Sequence, residues 1–442
     1  MKAILPVLAI SGSLLLLNNC KGDDDEDNDV PPPADQGQEA AGLADGLPVP
    51  NVAHDARTLS KVLGWPADKK PVAPAGFEVK EFAGGLENPR NTYALPNGDI
   101  LVVESNTKGK GPQEENLDPN KAARRGQSAD RITILRDTNG DGVSDSRALF
   151  LSGLNQPFGI ALVGEQLFVA NTDSLMVFPY KTGDVVINFA GRKILDLPAG
   201  GYNNHWTRNL LVSPDQTKLY ISVGSASNIA EHGLTEETRR ANILQVNLDG
   251  SGEKVFASGL RNPVGMDWNP ETGELWSVVN ERDFLGDDLV PDFLTSVKEN
   301  SFYGWPYSYF GQNLDPRVPN QNPQLVAAAV VPDVPLGAHT ASLGLAFARG
   351  ENLPDAWDEG AFIAQHGSWN RTTIAGYKVV FQPFEDGKPS GALQDFLTGF
   401  VVNAATAEVY GRPVSVRVLD SGIILVADDS GDKVWSVVPL AR

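Results

Sequence analysis

Pro214-Asp215-Gln216-Thr217-Lys218-Leu219-Tyr220-Ile221 joins a polar turn to a strand-forming run, and the same design recurs along the chain. Pro, Asp and Gly supply turn chemistry, while the Val, Ile, Leu and aromatic residues that follow suit a half-buried pleated surface. Equivalent units stand at Pro96-Asn97-Gly98-Asp99-Ile100-Leu101-Val102-Val103, Gly164-Glu165-Gln166-Leu167-Phe168-Val169 and Pro270-Glu271-Thr272-Gly273-Glu274-Leu275-Trp276. The series continues at Trp357-Asp358-Glu359-Gly360-Ala361-Phe362-Ile363 and Asp420-Ser421-Gly422-Ile423-Ile424-Leu425-Val426. Units spaced by roughly 50 to 90 residues predict an all-β, six-bladed β-propeller of four-stranded blades with variable insertions, each unit entering the second strand of its blade.

A second element precedes several units: Gly85-Leu86-Glu87-Asn88-Pro89-Arg90, Gly153-Leu154-Asn155-Gln156-Pro157-Phe158-Gly159 and Gly259-Leu260-Arg261-Asn262-Pro263-Val264-Gly265. The first strand of a propeller blade lines the central channel, so these elements point to one mouth. They carry Arg90 and Arg261 with Asn262, and Tyr410-Gly411-Arg412-Pro413-Val414 adds Arg412. Cations converging on a low-dielectric funnel form an anion trap. The alternative for each arginine is a carboxylate partner that ties blades together.

The 442 residues carry a net charge of -20, which argues against nucleic acid or an anionic membrane surface as partner. The single cysteine, Cys20, excludes a disulfide framework, a Cys-rich zinc site and CxxCH haem attachment. Lys2 followed by the apolar run Ile4 to Leu17 reads as a signal-peptide core, and Leu17-Asn18-Asn19-Cys20 resembles a lipoprotein cleavage box with Asn19 where Gly, Ala or Ser is usual. Residues 1–20 are therefore expected to be a lipoprotein-type signal peptide with Cys20 lipidated, plain secretion being the alternative. Both send the chain to the cell envelope, as a periplasmic or outer-membrane protein that touches membrane only through a lipid anchor. Residues 21–75 read as a flexible acidic and Pro-rich tether, then an approach segment with a short helix near Arg57 to Leu63; the propeller occupies 76–442.

Among five histidines, His205 stands out because it sits in a Gly/Asn-rich loop just before two strands, where a propeller enzyme would place a catalytic base. His54 and His232 are expected to face solvent, and His339 lies near a blade entry with its direction open. Asp137, Asn139, Asp141 and Asp145 offer side-chain oxygens at alternating positions around a glycine turn, which suits either a structural calcium or a metal-free hairpin turn.

The loop around His205 resembles the catalytic loop of the soluble quinoprotein glucose dehydrogenases, and Leu260-Arg261-Asn262-Pro263 is similar to their Arg-Asn-Pro element. Asn280-Glu281-Arg282-Asp283-Phe284-Leu285-Gly286-Asp287-Asp288, followed by Tyr303-Gly304-Trp305-Pro306, resembles their next stretch. Asn97-Gly98-Asp99, Pro157-Phe158-Gly159 and Asn280-Glu281-Arg282-Asp283 bring the chain closer to the sorbosone dehydrogenase and pyranose dehydrogenase branch dependent on pyrroloquinoline quinone (PQQ). The resemblance runs from Gly76 to Arg442. It implies PQQ and Ca2+ as cofactors, a small sugar (an aldose, sorbosone or related pyranose) as substrate, and an electron acceptor of unknown identity.

By the same resemblance His205 is the general base, and Arg261 with Asn262 stabilises charge on the quinone oxygen. The backbone carbonyls of Asp283 and Phe284 hold the quinone's calcium. Arg412 and Arg90 would meet its carboxylates together with the segment containing His366, Trp369, Asn370 and Arg371, where Arg371 replaces the lysine of the glucose dehydrogenases. One departure is Ser225, which stands where those enzymes orient the imidazole with an Asp; it fits the sorbosone/pyranose branch. Two other readings remain: a propeller lactonase, which needs a metal held by Glu and Asp side chains in the channel, and a non-catalytic propeller that binds carbohydrate or protein.

Overall fold

Each turn unit opens the second strand of an antiparallel sheet in the computed structural model, which describes residues 46–108 and 127–440. The signal peptide, Cys20 and the acidic and Pro-rich run lie outside the described residues. Those described are almost entirely strand and turn, with one short helix, Pro323–Ala327.

The first sheet runs Pro89–Ala94, Ile100–Glu104, Arg131–Arg136, Ser146–Leu151. The second runs Gly159–Val163, Gln166–Ala170, Ser174–Pro179, Arg192–Asp196, and the third Arg208–Val212, Lys218–Val223, Asn242–Asn247, Lys254–Ser258. In the next, Pro263–Trp268, Leu275–Val279 and Pro291–Ser296 are completed by Val334–Ala338 after a long insertion. Ser342–Phe347, Gly360–Gln365, Lys378–Glu385 and Gln394–Leu397 follow. In the last, Pro413–Val418, Ile424–Asp428 and Lys433–Pro439 take their outer strand from the start of the domain, Phe77–Gly84. This pairing joins the two ends of the sheet-forming chain.

The first strands touch one another in sequence. Pro89–Ala94 lies against Gly159–Val163, which meets Arg208–Val212, then Pro263–Trp268, Ser342–Phe347 and Pro413–Val418, and the last returns to Pro89–Ala94. Such close approach of backbones leaves no room for side chains at the crossing points. A Cβ on Gly159 would come within 2.4 Å of the Leu210 nitrogen, one on Gly265 within 2.6 Å of the Leu345 nitrogen, and one on Gly344 within 2.8 Å of the Ser415 Cα. The neighbouring positions supply the fill: Phe158, Trp206 and Val264 are buried together with Leu343 against them. Asn91 and Asn209 cross-link the same strands, Asn91 donating to the Phe158 carbonyl and to Asn209 Oδ1, and Asn209 to the Val264 carbonyl.

Between the sheets, facing apolar side chains form the core, for example Leu167, Val169, Leu101 and Ile132 in one layer and Leu219, Ile221, Leu244 and Phe168 in the next. The approach segment departs from expectation. No helix forms near Arg57 to Leu63; Lys61–Val62 is a short strand paired in parallel with Glu408–Val409, and Trp65 packs on Phe400, Tyr410 and Trp435 while its Nε1–H donates to Asp428. Tertiary pairing overrides the local helix preference.

Gly159→Ala introduces a methyl group against backbone atoms that cannot move alone, so it is expected to lower stability by about 1–3 kcal/mol. Urea unfolding followed by tryptophan fluorescence measures this, and an unchanged midpoint would contradict the close approach.

Candidate functional site

The loop bearing His205 is held as an extension of the third sheet, with the Asn204 and His205 N–H groups donating to the Ala226 and Ser225 carbonyls. The imidazole Nδ1 lies 2.8 Å from Ser225 Oγ and 3.1 Å from the Ser225 carbonyl. Ser225 Oγ donates its own proton to the Ser227 carbonyl at 2.7 Å, so toward the ring it acts as acceptor. Nδ1 therefore carries the proton, and Nε2 is the basic nitrogen of the ring. One step further out, Glu237 accepts from Ser227 Oγ at 2.5 Å and from the Ala226 N–H at 2.7 Å. Burial raises the pKa of this carboxyl.

Asn262 meets His205 over Gly224. A Cβ on that glycine would lie 2.4 Å from His205 Cβ and 2.5 Å from Asn262 Oδ1, so only glycine lets the two side chains converge. Asn262 Oδ1 is buried and has no hydrogen-bond partner among the described residues. Trp206, beside His205, stacks edge-on against Phe158 and receives the Arg90 guanidinium over its face at 4.9 Å.

Arg90 opens a buried charge cluster with His366, Arg412 and Asp429. Asp429 lies 3.3 Å from Arg90 Nη2 and 2.8 Å from His366 Nε2. Arg412 donates to the carbonyls of His366 and Gly367. Burial works to raise the pKa of Asp429, but His366, Arg90 and Arg412 hold it well below the ordinary carboxylate range. Burial and the nearby Arg412 depress His366 to about 4, so it is a neutral imidazole donating Nε2–H to a carboxylate. Burial also lowers the pKa of Arg90, against the pull of Asp429. Arg90 Nε is buried with no hydrogen-bond partner among the described residues.

Arg261 is more heavily engaged than a free anion trap requires. It donates to the Asn228 carbonyl and Oδ1, to the carbonyls of Asn280 and Glu281, and at 3.1 Å to Asp283 Oδ2. Asn228 also receives Trp305 Nε1–H, so the Tyr-Gly-Trp-Pro element supports the arginine from behind. His339 turns inward: Nε2 bonds the Gly286 carbonyl and Nδ1 lies 3.6 Å from Asp283. Burial opposes its protonation, but Asp283 outweighs it and the pKa is raised. His54, expected in solvent, instead bonds Asp287 at 2.8 Å, while His232 stacks on Tyr202.

The segment from His366 to Arg371 divides. His366 belongs to the Asp429 cluster, whereas Trp369 packs on Phe284 and Asn370 bridges the Phe284 N–H to the Ala56 carbonyl. Arg371 does not join Arg90 and Arg412 as expected; it reaches the carbonyls of Asp287 and Ala338 and the carboxylate of Asp288. The carbonyls of Asp283 and Phe284, expected to bind calcium, both accept from Arg317 Nη1, at 2.6 and 3.0 Å. In the loop from Asp137 to Asp145, Asp137 accepts from the amides of Gly140 and Gly142, Asp141 from Val143 and Asp145 from Thr138, as in a hydrogen-bonded turn. No group of three or more His, Cys, Asp or Glu side chains among the described residues is placed to hold a metal ion.

A cavity of about 200 Å³ follows the axis between the first strands, lined by Asn91, Phe158, Asn209, Val264 and Leu343. Of the candidate site residues only Arg90 lines it, so this cavity is the channel and not the chemical site. Asp429, Asn228, Glu237 and Arg317 were not singled out from the sequence. Asn228 alone stands close to a residue that was, closing the run Gly224-Ser225-Ala226-Ser227-Asn228.

A family model described as TrAA12-like matches residues 71–301 and 312–439. A PQQ-dependent pyranose dehydrogenase of Coprinopsis cinerea is 25% identical over 355 residues, which is 70% of this chain and 44% of that protein. A PQQ-dependent sugar dehydrogenase of Hypocrea jecorina is 24% identical over 266 residues, 57% of this chain and 56% of that protein, so the chain spans about half the length of these curated relatives. Among solved structures, the holo form of the pyranose dehydrogenase PQQ domain from Coprinopsis cinerea superposes with a TM-score of 0.67 at 22% identity, over 85% of this chain and 99% of that one. A calcium structure of the Trichoderma reesei family AA12 protein does so with a TM-score of 0.67 at 19% identity, over 88% and 99%. These structural likenesses establish the shared β-sheet fold. With its sheets and nearly all of its candidate site inside the matched residues, the chain belongs to the TrAA12-like family of PQQ-dependent oxidoreductases.

Proposed function

We propose that this chain is a six-bladed propeller that oxidises an aldose, sorbosone or related pyranose with PQQ as acceptor and His205 as general base. The observation that carries the reading is the contact of His205 Nδ1 with Ser225 Oγ: that oxygen gives its own proton to the Ser227 carbonyl, so it accepts from Nδ1–H, and Nε2 is set to take a proton from a sugar hydroxyl. The closed sequence of contacts among first strands supports the six-bladed architecture.

The residues present suit the quinone. A buried guanidinium nitrogen, Arg90 Nε, and a buried amide oxygen, Asn262 Oδ1, have no partner among the described residues and are costly unless a ligand completes them. Arg90 and Arg412 would hold its carboxylates, and Asp429 fixes Arg90 while His366 stays neutral. Held there, PQQ would supply a two-electron acceptor for hydride, and His205 would take the hydroxyl proton of the same carbon. Ser225 offers the resulting imidazolium a neutral acceptor in place of a carboxylate. Arg261, fixed by Asn228 and Asp283, presents a positive charge that needs no rearrangement as negative charge develops nearby. Trp206 and Phe158 pack edge to face as a buried apolar pair next to His205. Lactonase chemistry would need a carboxylate-rich metal site, and the described residues hold no such group. Export to the cell envelope through a lipidated Cys20 is part of the same proposal.

Reconstitution of the purified protein with PQQ, followed by a sugar panel with an artificial electron acceptor, tests the reading. His205→Gln is expected to keep quinone affinity and lose roughly a hundredfold to ten-thousandfold in kcat. Arg90→Ala is expected to weaken quinone binding by at least about tenfold. Equal turnover in the His205 variant, or no quinone binding by the native chain, would refute these roles.

The neutral state of His366 has its own signature. Its folded pKa of about 4 lies below the ordinary 6.5, so the unfolded chain binds this proton first and the group removes stability as pH falls through that window. In NMR, the His366 Cε1–H resonance, assigned by its loss in His366→Gln, is expected to hold its neutral shift from about pH 8 to about pH 5. An inflection near 6.5 would contradict this environment.

A further inference from the structure

Two successive carbonyls converge on one point in this site. Phe284 adopts a left-handed conformation, φ 67°, and its N–H is held by Asn370 Oδ1 at 2.7 Å. The carbonyls of Asp283 and Phe284 then meet the same donor, Arg317 Nη1. A left-handed non-glycine residue persists only where its surroundings enforce it, and here the enforced product is a paired acceptor for a cation.

The guanidinium is fixed from behind. Arg317 Nε lies 2.9 Å from Asp315 Oδ1 and Nη2 2.7 Å from Asp315 Oδ2, a two-pronged match that the Arg317 backbone N–H supplements. Asp315 has no solvent exposure and is also approached by Arg282. Burial would raise its pKa, but Arg317 and Arg282 keep it below the usual range and hence ionised. The Arg317 guanidinium is thus held by a buried carboxylate and its direction set.

Calcium does not fit beside it. Ca2+ takes six to eight oxygens, carboxylates among them. The two carbonyls are already engaged by a cation; of the carboxylates beside it, Asp283 is committed to Arg261 and faces His339, and Asp315 is committed to Arg317 and Arg282. A divalent ion bound to the same oxygens would sit directly against the guanidinium.

We infer that Arg317 occupies the calcium position of the quinone pocket, so that this chain binds PQQ without a divalent cation. The inference rests on the proposed quinone site and adds that its fixed charge beneath the Asp283–Phe284 turn is a guanidinium. Arg317 is a positioning and binding residue in this account. It sets the turn that carries Asp283, and through Asp283 the orientation of Arg261.

Titration of the metal-stripped protein with PQQ, read by absorbance and calorimetry, tests it in two buffers, one with EDTA and one with millimolar calcium. The native chain is expected to show the same Kd in both within about threefold. Arg317→Ala is expected to lose at least about tenfold in EDTA and to recover part of that in calcium, which can then reach the vacated carbonyls. Arg317→Lys, which keeps the charge without the fork, is expected to bind weakly in both buffers, and circular dichroism verifies that each variant is folded. Native binding that tightens tenfold or more with calcium would overturn the inference while leaving the quinone site intact. Absence of quinone binding in both buffers would overturn the proposed function and this inference with it.

Discussion

Backbone-to-backbone contact at the centre is the constraint on which the site depends. The first strands can close on one another because Gly159, Gly265 and Gly344 present no side chain at the crossings. That closure brings together residues far apart in sequence: Arg90 with Asp429, His205 with Asn262, and Phe284 with Asn370. The pairing of Phe77–Gly84 with Lys433–Pro439 extends the same principle to the chain ends, placing Asp429 beside Arg90. A packed apolar layer of Phe158, Trp206 and Val264 then separates the polar rim from the channel below.

Charge in this rim is matched, and the matching shapes the chemistry. Asp429 accepts both Arg90 and His366, and Asp283 accepts Arg261. A buried ion pair of this kind adds little to stability because desolvation offsets the attraction; its gain is in orientation. Arg90 Nε and Asn262 Oδ1 are buried and have no hydrogen-bond partner among the described residues. Arg90 lies over the Trp206 ring and Asn262 approaches His205 across Gly224, so a polar ligand at this loop would complete them.

Much of the architecture was readable because turn chemistry is local. Pro-Asn-Gly-Asp and its counterparts encode their hairpins within a few residues, so all the turn units were found to open second strands. His205, Arg261 and Asn262 drew attention through their place beside those units. Asp429 escaped because it acts through contacts that only closure creates, His366 and Asp429 being 63 positions apart, whereas Glu237 escaped because it acts from one step behind the histidine, through Ser227 and the Ala226 amide. A carbonyl ligand likewise leaves no mark in the sequence, and nothing near Phe284 announces Arg317. The supposed helix near Arg57 to Leu63 failed for a related reason, since its backbone finds a partner strand in Glu408–Val409.

The central claim is that sugar oxidation at His205 delivers hydride to a quinone held on this rim. Anaerobic stopped-flow mixing of the PQQ-loaded protein with an aldose and with its 1-deuterated form tests it most directly. The account predicts that the quinone absorbance converts to that of the quinol in a single turnover, several-fold more slowly with deuterium at the reacting carbon. Quinone absorbance that stays unchanged across a panel of aldoses and related pyranoses would contradict it.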